Sequence, residues 1–269
     1  MPVLRFYGDF ISGKWVIASY AASFGTDYYW GNEYLINESK KLLIRFDKIS
    51  VRERSGVEIL KNIFGIDGIE VLDPVFLIPD SKYYDLVKNY KNLDTSNGYG
   101  YIAYMWDLPE LSNEFVERFK YNRVVNIYFD KSGQYNTDEQ WLYNLMQSKF
   151  VITDSFHCTV FSIIFKKPFV VIYTKTRGNA RIQNLLETFN LQGCIRETFS
   201  DINEDDFKKF IDWDNIESII RKRLIVSENY LKEVLSIKPS YKKPYINWPL
   251  RGIRARYERA YYYRKNAEI

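Results

Sequence analysis

Apolar positions along this chain of 269 residues recur with two alternating periods. Short β-branched and aromatic runs at Lys14–Ser19, Lys48–Val51, Ile69–Leu72, Tyr99–Met105, Arg123–Phe129, Phe150–Thr153 and Pro168–Tyr173 read as strands. Between them, apolar residues spaced three and four apart predict helices over Glu53–Phe64, Ser81–Tyr90, Leu111–Lys120, Thr137–Ser148, Phe156–Lys166 and Asn179–Phe189. Asn136-Thr137-Asp138 supplies a start signal and Gly65 a stop signal. Strands alternating with helices imply βα units and a parallel sheet, hence an α/β fold. The stretch Tyr99–Phe189 repeats strand and helix four times and predicts a doubly wound domain of Rossmann type. Phe6–Leu77 is also α/β, with about three strands. Asp73-Pro74 and Ile78-Pro79-Asp80 read as turns at a junction. The expected organisation is therefore a first domain at 1–78, a second at 79–235 that closes with a helix over Trp213–Leu235, and a tail at 236–269. In the tail, Lys238–Pro249 is punctuated by proline and Gly252–Arg264 predicts a basic helix.

Composition narrows the chemistry. Hydrophobic residues at 46% and charged residues at 27% exclude a disordered or fibrous chain. No apolar run approaches the roughly 20 residues of a membrane helix, and no leader-like segment opens the chain, so a cytoplasmic location is expected. Cys158 and Cys194 are too few for a disulfide framework or a four-cysteine metal site, and read as small buried residues. The single histidine, His157, excludes a His-rich zinc site and any Ser-His-Asp triad that does not run through it. The net charge of +4 is uneven. Ser236–Ile269 holds nine Lys/Arg against two Glu, or +7, leaving 29 basic against 32 acidic residues before it, or −3. A nearly neutral body argues against a nucleic-acid partner. The tail interleaves Tyr and Trp with Arg and Lys, which suits either a peripheral contact of 238–265 with an anionic membrane or a segment packed back on the first domain.

Parallel sheets bind ligands at the carboxyl ends of their strands. The strand Phe150–Thr153 ends at Asp154-Ser155-Phe156-His157, directly before a helix, where free N–H groups and the helix dipole favour an anion. Ser155, Thr159 and Ser162 add hydroxyls. The strand Pro168–Tyr173 ends before Lys175, Arg177 and Arg181, and Lys48–Val51 ends at Arg52-Glu53. Three such turns carrying His and Arg predict a site for an anionic ligand. Asp154, just ahead of a helix, also fits an N-cap.

The run Val151-Ile-Thr-Asp-Ser-Phe-His157, continued through Thr159-Val-Phe-Ser-Ile-Ile-Phe165 to Lys167-Pro-Phe169, resembles the signature of the polysaccharide pyruvyl transferases. Tyr20-Ala-Ala-Ser-Phe-Gly25, Ile49-Ser-Val-Arg-Glu53 with Ser55-Gly56, Leu72-Asp-Pro-Val-Phe76 and Asn179-x-Arg-Ile-x-x-Leu-Leu186 agree with it. The resemblance implies a glycosyltransferase-B-like fold of two Rossmann-type domains, here with the first truncated at its N-terminus. It implies transfer of the pyruvyl unit of phosphoenolpyruvate to sugar hydroxyls, as a ketal on a capsule, exopolysaccharide or cell-wall glycan. The partners so implied are phosphoenolpyruvate and a glycan or lipid-linked sugar acceptor, with no further cofactor and no metal. It assigns His157 to the donor and Arg52 to the donor's anionic groups. Ser155 and Phe156 stand where some members have Arg-Leu, and Lys175, Arg177 or Arg181 could replace that charge; Cys158 stands where many have Gly. On this reading His157 is the acid/base group, and Asp154 or Glu53 positions it or the sugar hydroxyl. Two alternatives share the fold: a nucleotide-sugar glycosyltransferase, with Glu187 as a candidate ribose ligand, and a non-catalytic relative.

Overall fold

The computed structural model describes residues 7–90, 101–104, 124–127, 134–173 and 179–243, with only the backbone given for 101–104 and 124–126. The described chain forms two compact units, one from 7–24, 28–70 and 227–243, the other from 25–27 and 71–226. The sequence boundaries at 78 and 235 compare with unit borders at 70/71 and 226/227. The architecture is mixed α/β with parallel sheets, as the alternating periods imply.

In the first unit, β2 (Ala18–Ala22), β3 (Lys48–Val51) and β4 (Ile69–Glu70) form a parallel sheet in that order. Its pairing shifts register between Ser19 and Ala22, where Ala21 adopts φ 50°, so β2 carries a bulge. The predicted strand Lys14–Ser19 is in fact two. β1 (Gly13–Trp15) pairs antiparallel with β10 (Ser240–Lys242), and the chain then crosses into β2. Asp47 fixes that crossing, because its carboxylate accepts the Ile17 N–H at 2.8 Å and its own N–H donates to the Ile17 carbonyl at 2.7 Å. Helix α1 (Glu33–Leu43), capped by Asn32, is absent from the sequence expectation. Helix α2 (Arg54–Ile59) runs on into a π turn over Leu60–Phe64 and ends at Gly65, whose φ of 64° suits glycine. Leu43, Ile49, Val51, Ile59, Leu60 and Phe64 make the core.

In the second unit, β5 (Tyr101–Tyr104), β6 (Val124–Asn126), β7 (Val151–Thr153), β8 (Phe169–Ile172) and β9 (Ile195–Arg196) form one parallel sheet in the order β6-β5-β7-β8-β9. Numbered within the unit this is 2-1-3-4-5, the flavodoxin-like doubly wound order. β9 adds a strand to those read from sequence. The helices are α3 (Asp80–Val87), α4 (Asp138–Gln147), α5 (Phe156–Ile164), α6 (Ala180–Thr188) and α7 (Glu204–Lys208). The long α8 (Trp213–Ser236) gives its residues up to Val226 to this unit and the rest to the first. α4 opens with the expected signal, a capping box in which Thr137 and Gln140 exchange bonds. The predicted helix Leu111–Lys120 lies outside the described residues. Leu145, Val151, Val160, Val171 and Leu186 are fully buried in a core shared by the sheet and its helices.

Candidate functional site

The strand order makes one edge of the second unit special. Consecutive strands of a doubly wound sheet diverge at the point where the order reverses, and ligands bind outside the carboxyl ends there. In this sheet the reversal lies between β5 and β7. The turn after β7 is Asp154-Ser155, followed at once by α5 with His157 in its first turn.

The turn is stitched by its own hydroxyls. Thr153 Oγ1 accepts the Ser155 N–H at 2.9 Å, and Ser155 Oγ caps α5 by accepting the Cys158 N–H at 3.4 Å. Ser155, not Asp154, is therefore the N-cap, and Asp154 is buried just ahead of it. Thr159 is fully buried, and its hydroxyl donates to the Ser155 carbonyl at 2.9 Å. Ser162, equally buried, donates to the Cys158 carbonyl at 2.8 Å. The structure thus turns Thr159 and Ser162 into the helix and does not bring them to the rim. Burial pushes the Cys158 thiol up to about 12, so this cysteine is inert at neutral pH.

His157 does reach the surface, with its side chain 55% exposed. Its Nε2 lies 3.8 Å from Oδ2 of Asp73, whose side chain is 2% exposed. Its ring meets that of Phe156 edge-on at 5.3 Å. Arg181, in the first turn of α6, sets its guanidinium 5.8 Å from the centre of the Phe156 ring. His157, Asp73, Phe156 and Arg181 thus form one cluster at the reversal point. Asp73 was read from sequence as a turn residue. It is one, since its Oδ1 caps the short 3-10 helix Pro74–Leu77. Its place within Leu72-Asp-Pro-Val-Phe76 was the available signal for more. Lys175 and Arg177 lie outside the described residues. Glu187 is exposed on the last turn of α6 and accepts from Gln183 Nε2 at 2.9 Å.

The first unit holds the other motif-bearing turn. Arg52 and Glu53 follow β3 directly, and the Arg52 N–H donates to the Ala22 carbonyl at 3.0 Å. Glu53 is fully buried, and its Oε1 accepts from both Ser23 Oγ and the Phe24 N–H at 2.8 Å. Glu53 therefore ties Tyr20–Phe24 to Ile49–Glu53, two segments that the sequence singled out separately. The Arg52 side chain is 16% exposed, with Nε 4.0 Å from Glu53 Oε2. Of the tail, residues 236–243 are described and join this unit through β10, Lys242 to Asp47, and the Lys243 carbonyl to Arg45.

No curated protein matches the chain closely enough to count as a relative. The family match is broad and takes in both turns, β3–α2 and β7–α5: the model described as polysaccharide pyruvyl transferase matches residues 5–176, and the chain belongs to that family.

Proposed function

We propose that the protein transfers the pyruvyl unit of phosphoenolpyruvate to two hydroxyls of a sugar, leaving a pyruvate ketal on a capsular, extracellular or cell-wall polysaccharide. The observation that carries this reading is the chain's one histidine, exposed at the reversal point of the second unit's sheet beside a buried carboxylate, with Arg181 against the neighbouring Phe156 ring.

The reaction needs little beyond charge and a mobile proton. A proton adds to the methylene carbon of phosphoenolpyruvate, which leaves the positive charge on C2. One sugar hydroxyl adds to C2 and loses its proton. The C2–O bond to phosphate then breaks, a second hydroxyl adds, and its proton leaves with the inorganic phosphate. The two hydroxyl protons thus end on the new methyl group and on phosphate. A histidine that titrates near neutral pH suits the proton steps. Arg181 and the first turn of α5 with its cap Ser155 supply charge for an anionic donor in the second unit, and the family resemblance assigns Arg52 to the donor's anionic groups as well. The parallel sheets support a glycosyltransferase-B-like pair of Rossmann-type domains. Among the described residues no helix is long and apolar enough to cross a membrane. We place the enzyme in the cytoplasm, acting on a glycan or lipid-linked acceptor.

Calorimetry with phosphoenolpyruvate tests the reading, with His157→Ala and Arg52→Ala beside the wild type and UDP-sugars as controls. The expected result is saturable binding of phosphoenolpyruvate, weakened about tenfold or more by Arg52→Ala. Binding of a UDP-sugar in its place would turn the reading to glycosyl transfer. Binding of neither would favour a non-catalytic relative.

A further inference from the structure

The family resemblance gives Asp73 no role, and the sequence makes it a turn. We propose that Asp73 is the positioning residue of His157: its buried carboxylate orients the imidazole and stabilises the protonated form. This deepens the pyruvyl-transfer reading and rests on it for the use of the proton, but not for the pairing itself.

The need for such a partner follows from where His157 stands. It is the second residue of α5. The positive end of a helix dipole disfavours an imidazolium. Arg181, from α6, sets its guanidinium 5.8 Å from the centre of the neighbouring Phe156 ring. The helix dipole alone opposes the protonated form that a proton donor needs. Negative charge comes from Asp154, just before the helix, and from Asp73, which lies across from the ring. Tyr83 borders the same carboxylate, and the charge of Asp73 helps to hold the Tyr83 phenol above its ordinary value, after burial itself.

Asp73 is built to hold still. Its Oδ1 accepts the Val75 N–H at 3.2 Å, and its carbonyl accepts the Phe76 N–H at 3.0 Å. Phe76 is buried against Phe189 at 5.8 Å, and the Tyr83 hydroxyl donates to the Val75 carbonyl at 2.9 Å. One oxygen thus bonds the backbone, and the other lies 3.8 Å from His157 Nε2. A carboxylate with 2% of its side chain exposed is barely screened by water, so its effect on a neighbouring charge is large. The separation of 3.8 Å is that of an ion pair, and a small rotation of the exposed imidazole closes it to a hydrogen bond.

The experiment uses the fact that the chain has one histidine, so its imidazole signals in NMR belong to His157 without assignment. Asp73→Asn and Asp73→Ser both keep a side chain that can cap the 3-10 helix, and so both should fold. The expected result in each is a fall in the His157 pKa of about one unit. Turnover should fall about 10- to 100-fold, with the affinity for phosphoenolpyruvate changed less than about threefold. A His157 titration within about 0.2 units of wild type in both variants overturns the pairing, whatever the activity. A shifted titration in a protein that ignores phosphoenolpyruvate upholds the pairing and removes the pyruvyl-transfer reading instead. A shifted titration with unchanged turnover would overturn the positioning role.

Discussion

The turns after β3 and β7 share a design and use it in opposite ways. Each follows a buried parallel strand, opens a helix, and carries one basic side chain close to an acidic one. After β3 the acid is turned inward. Glu53 occupies the N-cap position of α2 without making a cap bond, and spends its carboxylate on Ser23 and Phe24. Its work is to bind two strand ends together, and Arg52 is left half-buried beside it. After β7 the hydroxyls do the local work: Ser155 caps α5, and Thr153 holds Ser155. The acid that meets His157 there comes from Asp73, more than eighty residues earlier in the chain. Glu53 thus braces the backbone of its own turn, while Asp73, from a distant part of the chain, caps a 3-10 helix with one oxygen and sets the other 3.8 Å from His157. The general point is that a motif identifies a turn but does not say which of its polar groups the backbone will consume.

The largest expected effect that would break this contrast is on activity. His157→Ala should lower turnover about 10²- to 10⁴-fold, as loss of a general acid/base does. Because the side chain is more than half exposed, its melting temperature should stay near that of the wild type. A steady-state assay of phosphate release with a parallel thermal melt checks both. A large loss of stability would make His157 a structural residue and merge the two turns into one class.

Glu53→Ala should do the reverse. It removes the acceptor that the Ser23 hydroxyl and the Phe24 N–H share, and a carboxylate oxygen 4.0 Å from Arg52 Nε. A cost of about 2–4 kcal/mol is expected, read from denaturant unfolding. Glu53→Gln keeps an oxygen for those donors and should recover part of that cost. Equal losses for the two variants would mean that the charge, and not the bonding, is what Glu53 supplies.

Much of this was legible in the sequence, because the period of apolar residues is a property of single elements. The helices over 138–147, 156–164 and 180–188 and the strands β3, β7 and β8 fall within their predicted spans. Helix α1 was not legible, for a local reason: its buried face includes Glu38 and Ser39, so the stripe reads as polar. The pairing of β1 with β10 joins three-residue strands more than two hundred residues apart, and no local signal encodes that. At the candidate site, position relative to a strand end singles out His157, Ser155 and Arg181, which the structure places in or just before the first turns of α5 and α6. It did not identify Asp73, because the Asp-Pro pair accounts for itself as a turn. Nor does sequence position tell that the Thr159 hydroxyl, early in its helix, bonds back to the preceding turn.

Ser155→Ala sharpens the comparison on a smaller scale. It removes the cap of α5 and should cost about 1 kcal/mol. Because that cap fixes the first turn of α5, phosphoenolpyruvate should bind more weakly as well. Ser23→Ala in the other turn removes one of the two donors to Glu53 and should cost a similar amount without touching donor binding in the second unit. Calorimetry on the two variants separates a cap that also serves a ligand from a bond that serves the fold alone.

The smallest expected effect concerns acid. The first unit uses carboxylates as braces, and Asp47 is the one whose titration the structure resolves. Burial opposes its ionisation, yet the Lys242 hydrogen bond and the Ile17 N–H outweigh that and hold its carboxyl below the ordinary value. A depressed carboxyl gives stability that is fully present above its unfolded pKa of about 3.9 and is lost as pH falls through the folded value. The tie between Asp47 and Lys242, at 2.7 Å, should therefore hold β10 against β1 at pH 7 and weaken below about pH 4. Asp47→Asn keeps an acceptor for the Ile17 N–H and removes only the charge, so its cost at pH 7 should be under about 1 kcal/mol. At pH 3 the variant and the wild type should approach one another in denaturant unfolding, since protonation has already removed in one what substitution removed in the other. A gap that stays constant with pH would show that Lys242 is held by the β1–β10 pairing and not by Asp47, leaving Glu53 as the only acidic brace argued for in the first unit.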